Sequence, residues 1–248
     1  MTNKEAYTDF ASIYDELMTD IPYDHYVDLL SLATEGLKGK KIIDVGCGTG
    51  ILSVKLAKAG AFVTGIDLSK SMLHIAEKRA NDLSLQIEFL EKPMQKIEGT
   101  EQFDAAVIAI DSLNYLPDRE SILNTFVGIH SVLKSGGVLM FDVHSTFKTN
   151  VIFMEGPFTF DNDRIAYIWH TEEGDREHSV LSELSFFVKE ESGLYRRFDE
   201  RHEQRTYEIH EYVELLREAG FTIERIFADW EDEPPHEESE RIFFQVRK

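Results

Sequence analysis

Three glycines at alternate positions, Gly46, Gly48 and Gly50, follow the apolar run Ile42-Ile43-Asp44-Val45. They precede Ile51, Leu52, Val54 and Leu56, which form the apolar face of a helix. Glycines at such a turn accept positive φ and let a ligand lie against bare backbone. A helix begun there presents unpaired N–H groups and a partial positive charge. The pattern predicts an adenosyl-ligand site at the C-terminal end of a first parallel strand, with the acid Asp44 just before the turn. Cys47, inside the turn, reads as a packing residue, because no His or Lys lies near in sequence to activate it.

Spacing narrows the ligand. A dinucleotide fingerprint needs a third glycine where this chain has Ile51, and no G-x-x-x-x-G-K-[ST] phosphate cradle is present. Phe62–Ile66 reads as a second buried strand ending at Asp67. An acid there is placed to accept both ribose hydroxyls; the plainer alternative is a cap on the next helix. His170, His178 and His202 lack a tight ligand spacing, so no metal is expected.

The elements that must position these residues alternate along the chain. Ser69 caps a helix carrying Met72, Leu73, Ile75 and Ala76, and Asp118 caps one carrying Ile122, Leu123, Phe126 and Val127. Residues 85–90, 104–110 and 138–143 read as strands three to five, with Ser135-Gly136-Gly137 closing the helical segment before the fifth. This rhythm predicts right-handed βαβ units and an α/β, doubly wound, mostly parallel sheet. Then 164–170, 180–189 and 194–205 read as an antiparallel β insertion after strand 5. The last of these is charged on both faces, as suits either a protected edge or the wall of a polar site. A helix at 209–219 and two closing strands, 221–227 and 241–247, complete seven strands. The expected division is a main domain of 1–145 and 206–248, with 1–30 as an N-terminal lid or helix, and an inserted substrate or lid subdomain at 146–205.

The glycine turn, Asp67, the fourth-strand segment Phe103–Ile108, Leu133-Lys134-Ser135-Gly136-Gly137 and the terminal Ala219-Gly220-Phe221 together resemble the class I S-adenosylmethionine-dependent methyltransferases. The chain is most similar to small bacterial members of unassigned substrate, in which a Phe-Ala-x-x-Tyr-Asp segment, here Phe10–Asp15, precedes the glycine motif. The resemblance implies a Rossmann-like fold with S-adenosylmethionine as cofactor. It implies cofactor contacts from Asp44, Gly46, Cys47, Gly48, Gly50 and Asp67, with Leu68 and Met72 beside the last. It further implies that Asp111 borders the methionine end and that Ser112 contacts the cofactor. Where the family often carries an acid and an apolar residue around adenine, this chain has Pro93-Met94, so Met94 is expected to pack on the ring as a polarizable surface. Tyr14, with Tyr7 and Phe10, closes over the cofactor as a lid or serves as an ordinary packed helix face.

Methyl transfer from a sulfonium is an in-line displacement that needs alignment more than acid–base work. Proton removal falls to groups at the sheet's C-terminal edge, where strand five delivers Asp142, His144 and Ser145. His144 is a candidate general base, or orients a loop by hydrogen bonding. Asn114-Tyr115 is loosely similar to the polar-then-aromatic run of nitrogen methyltransferases, which makes Tyr115 a catalytic candidate; the proline pair of that motif is missing, so no nucleobase acceptor is implied. Trp169, His170, Arg196, Arg197, His202 and Arg205 build an acceptor pocket or a ladder of surface ion pairs with Asp199, Glu200 and Glu203.

Composition bears on partners. Twenty-six Lys and Arg against 46 Asp and Glu leave a net charge of −20 in 248 residues, which repels nucleic acid at a distance. The single cysteine excludes an internal disulfide and fits a reducing cytoplasm. Neither a long apolar run nor a secretory leader in Met1–Ala6 is read, so no membrane partner is expected. The expected partner is a small-molecule methyl acceptor, and a homodimer is compatible with the chain. The alternatives are methylation of RNA or protein, and a non-catalytic S-adenosylmethionine-binding module.

Overall fold

The structure, a computed structural model, describes residues 6–100, 102–231 and 233–248, with the side chains of all but 6–9 and 12. The leader expectation at Met1–Ala6 and the Tyr7 side chain fall outside that description. In chain order the elements are α1 (Ala6–Leu17), α2 (Tyr23–Ala33), β1 (Lys41–Val45), α3 (Ile51–Lys58), β2 (Phe62–Asp67), α4 (Lys70–Asp82), β3 (Glu88–Glu91) and β4 (Phe103–Ile108). After them come α5 (Arg119–Val132), β5 (Leu133–His144), α6 (Thr146–Asn150), β6 (Phe158–Asp161), β7 (Ile165–Glu173), β8 (Ser179–Lys189) and β9 (Tyr195–Arg205). Then α7 (Ile209–Glu218), β10 (Thr222–Ala228) and β11 (Arg241–Arg247) finish the chain.

Seven strands form one sheet in the order β10-β11-β5-β4-β1-β2-β3, parallel except where β11 runs antiparallel to both its neighbours. Alternating residues feed two cores. Ile43, Val45, Ala106 and Phe141 pack with α5 and α7 on one face, while Ile42, Ala105, Val107 and Met140 pack with α2 and α3 on the other. Strands buried on both faces are what the continuous apolar runs require. Phe141 stacks on its register partner Phe244 at 4.7 Å, which locks β11 into the sheet. Ser69 and Asp118 cap α4 and α5, each accepting a backbone N–H three residues on.

Two expected boundaries move. The third strand starts at Glu88 rather than residue 85, because Ser84 is left-handed (φ 55) and Leu85 donates its N–H to Ala80 at the end of α4. Ser135-Gly136-Gly137 lies inside β5 as an irregularity: register with β4 slips between Phe103↔Leu133 and Ala105↔Val138.

Beyond β5 the chain builds a second sheet, β6-β7-β8-β9, fully antiparallel. The edge strand β6 joins the three β runs read from the sequence. One face of this sheet meets α1 and α4 through Ile165, Phe186, Val188, Phe10, Ile13 and Met72. That packing brings the second sheet over the C-terminal edge of the first.

Candidate cofactor and acceptor site

Gly46 stands with φ +75, and a Cβ there would sit 2.9 Å from Ser112 Cβ and 3.6 Å from Met94 Cε. Gly50, also at φ +75, caps α3, and its Cβ would meet Ala76 at 2.8 Å. Gly46 and Gly50 thus let the turn pack tightly on its neighbours, while Gly48, with nothing within 4 Å of a Cβ, leaves bare backbone facing open space where a ligand can lie. The turn also puts Met94 and Ser112 beside Gly46. Gly48 donates its N–H to Asp67 Oδ2 at 2.9 Å, and Ser69 donates to Oδ1 at 2.8 Å. A carboxylate has about four acceptor positions, so both ribose hydroxyls still find room. Burial raises the Asp67 carboxyl against these backbone donors.

Asp44 is buried and accepts the Ser53 hydroxyl at 2.5 Å. Burial pushes it up to about 7; Ser53 opposes the shift, while the charge of Asp67 adds to it. Burial likewise pushes the Cys47 thiol up, in keeping with a packing residue. Tyr14 and Tyr23 close a cleft of about 30 Å³ over Asp44, the glycine turn, Ala109, Ile110 and Ser112. Helix α1 is pinned there: Thr49 donates its hydroxyl to Asp15 at 2.7 Å, and Arg79 pairs with the same carboxylate. Phe10 packs against Tyr14, Phe186 and His202, so α1 presents a packed helix face. Met72 is buried beneath it, and Leu68 is exposed on the rim.

At the end of β4, Ile110 and Asp111 are both left-handed, φ 54 and 48. Two such non-glycine residues in succession cost about 1–3 kcal/mol each. The strain is held by Asp142, which accepts the N–H of Ile110 at 2.8 Å and of Asp111 at 3.0 Å. Tyr26 from α2 also donates to Asp142, at 2.6 Å. Arg241 from β11, directly opposite His144 in register, pairs with Asp142 and lies 2.9 Å from Asp111 Oδ1. The other Asp111 oxygen accepts from Gln204 at 2.8 Å and lies 3.3 Å from His144 Nε2. Burial alone would push Asp111 up, but His144 and Arg241 hold it well below the usual carboxylate range. Burial pushes His144 down, only partly offset by Asp111, with Arg241 and Lys148 adding to the fall. Its Nδ1 is buried with no hydrogen-bond partner.

Asp111 therefore reaches the site with both oxygens committed to protein groups. Asn114 is a strut: it accepts the His144 N–H at 2.9 Å and donates to the Arg205 carbonyl at 2.8 Å. Tyr115 is half exposed, with its hydroxyl 3.4 Å from His202 Nδ1. On the inner face of the second sheet, Trp169, Ser182, Glu200, His202 and Gln204 share sides with Phe186 and Phe198. Burial lowers His202 to about 4, slightly opposed by Asp111. His170, Arg197 and Arg205 point to the other face, where Arg197 pairs with Asp199 at 2.9 Å and Arg176 with Glu203 at 2.7 Å. The last strand is thus both a polar wall, on its even-numbered side, and a charged outer surface. Arg241 went unread in the sequence; its signal was one cation at the head of the apolar run Ile242-Phe243-Phe244. Among the described residues no group of three or more His, Cys, Asp or Glu could hold a metal, and no helix is long and apolar enough to cross a membrane.

Residues 42–137 match the family model of a methyltransferase domain. Two relatives carry methyltransferase in their names without an acceptor. One, from Geobacillus sp. (strain WCH70), is 47% identical over 246 residues, covering 98% of this chain and 100% of that protein. The other, YqeM of Bacillus subtilis (strain 168), is 44% identical over 245 residues, covering 98% and 97%. The crystal structure of an S-adenosylmethionine-dependent methyltransferase from Clostridium acetobutylicum ATCC 824 superposes with a TM-score of 0.87 at 28% identity, covering 97% of this chain and 98% of that one.

Proposed function

Since the chain belongs to the S-adenosylmethionine-dependent methyltransferases, we propose that it methylates a small-molecule acceptor in the cytoplasm, with His144 as the base. One observation carries the acceptor half of this reading. His144 sets one nitrogen 3.3 Å from the Asp111 carboxylate and buries the other without a partner, at the sheet edge that bears the glycine turn. Gly46, Gly48 and Asp67 would hold the cofactor's adenosyl part, with Met94 against the adenine and Ser112 and Tyr14 toward the methionine end. When bound, S-adenosylmethionine supplies the methyl group, its carbon–sulfur bond breaking with the electron pair to sulfur.

The chain's own residues must then align the acceptor and take its proton. His144 is suited to the second task because burial keeps the imidazole neutral and a neutral imidazole accepts a proton. The −20 charge and the pairing of Arg197 and Arg176 with acids argue for a small molecule over nucleic acid. Calorimetric titration with S-adenosylmethionine and with NAD tests the cofactor; tighter NAD binding sinks the reading. His144→Ala should lower turnover about 10²-fold or more while leaving cofactor affinity unchanged. Unchanged turnover in that variant removes His144 from the chemistry.

A further inference from the structure

Two acids, one guanidinium and one imidazole meet behind the acceptor site, drawn from three strand ends and buried together. Asp142 and His144 lie two residues apart on β5, so they share a face. Arg241 sits across the antiparallel pair from His144 and extends between Asp142 and Asp111. Its guanidinium is walled by Trp230, 5.5 Å from ring centre to Cζ, and its backbone N–H is fixed by Asp229 at 2.8 Å. A planar fork is the group that can bridge two carboxylates in one fixed geometry.

We infer that Arg241 is a positioning residue for the reaction: bridging Asp142 and Asp111, it keeps a charged carboxylate beside His144 Nε2, so that the imidazole proton sits on Nε2 and Nδ1 is bare for the acceptor's proton. This rests on the methyltransferase reading given above. A carboxylate only accepts, so the nitrogen beside it must carry hydrogen, and the other nitrogen is then the base. One positive charge against two negative ones leaves the buried cluster short of a cation. Proton uptake at Nδ1 supplies that cation: the acceptor's O–H or N–H bond breaks toward the acceptor, a bond to Nδ1 forms, and the imidazolium lies against Asp111 until water takes the proton.

The charged groups facing the imidazole are Asp111 from the turn after β4, Arg241 from β11 and Lys148 from α6. Glu240 holds Lys148 at 3.1 Å, and Asp142 stands behind Arg241. Removing Arg241 leaves Asp111 and Lys148 as the charges on His144, and the acid then draws a proton onto the ring at higher pH.

Long-range ¹H–¹⁵N correlation spectra of the nine histidines, with His144 assigned by its loss in His144→Gln, test this without an acceptor. The wild type should show His144 neutral, with hydrogen on Nε2, at neutral pH. In Arg241→Met the His144 titration should move up by about one pH unit. Arg241→Lys, which keeps a charge without the fork, should move it less and covers the case in which the Met variant fails to fold. Hydrogen on Nδ1 or a doubly protonated ring in the wild type overturns the inference. So does an unchanged titration in either folded variant. Calorimetry with S-adenosylmethionine on the same proteins separates this outcome from failure of the methyltransferase reading, which would show as no binding in the wild type.

Discussion

Gly46 and Gly136 share one backbone conformation, φ +75, but differ in what a methyl group would meet: Ser112 at 2.9 Å for the first, open space for the second. Alanine at either should cost about 1 kcal/mol from the left-handed geometry. Only Gly46→Ala should also displace Ser112 and weaken S-adenosylmethionine binding, by about tenfold or more. Urea unfolding and calorimetry on the pair check this, and wild-type affinity in Gly46→Ala refutes it. Asp44 makes a prediction of a different kind. With its carboxyl pushed up to about 7, it is partly protonated in the free protein near neutrality. S-adenosylmethionine carries a sulfonium and an ammonium group, which favour the ionised acid. Binding should therefore release a proton, and affinity should rise as pH rises through about 7. Titration in buffers of different ionisation enthalpy measures that release; it should vanish in Asp44→Asn, and buffer-independent heats for the wild type count against it. The glycines and Asp67 were legible at this scale because their chemistry is local in sequence.

Among the elements, α1 contributes Tyr14 to the lining of the cleft. The cleft of about 30 Å³ beneath Tyr14 holds roughly one water, whereas small-molecule sites run to several hundred cubic ångströms. We propose that α1 lifts or Tyr14 rotates to admit the cofactor. Asp15 holds the helix down through Thr49 and Arg79, in a partly exposed cluster whose strength solvent reduces. Asp15→Ala should therefore speed S-adenosylmethionine dissociation by about two- to five-fold, read by stopped-flow displacement. An unchanged off-rate would show that some other motion opens the site. The sequence had Phe10 and Tyr14 at helical spacing, and the packed face is there: Phe10 and Ile13 lie against the second sheet and Met72 of α4. Less legible was α2, which carries Tyr23, Tyr26 and Leu30 inward but begins at Pro22 without a capping side chain. The short edge strand β6 was missed because four residues carry too little alternation to stand out.

Over the whole molecule, the mostly parallel seven-stranded sheet followed from buried apolar runs and helix spacing, whereas the charge cluster did not. Arg241 is 99 residues from Asp142 and 130 from Asp111, so nothing in its local pattern announces either partner. Only the antiparallel return of β11 brings them together. The same fold buries His144 and His202 as neutral rings that both feel the Asp111 charge, the latter lowered to about 4. In the unfolded chain both titrate near pH 6.5. As pH falls below about 6.5 the unfolded chain binds protons that the folded one refuses, and stability is lost by up to about 1.4 kcal/mol per pH unit for each histidine. For His202 the loss continues until about pH 4. Asp44 works in the opposite sense: its raised carboxyl favours the fold at low pH, and that contribution is lost progressively from about pH 4, its unfolded value, until pH passes about 7. It thus offsets part of the histidines' acid limb, and stability of the free protein should rise with pH and level off near pH 7. Urea unfolding across pH 5 to 8 should show a steeper acid limb than that of His202→Gln, and one steeper still in Asp44→Asn. Acid limbs of equal slope in wild type and His202→Gln would mean that the second sheet does not keep that ring dry over the site.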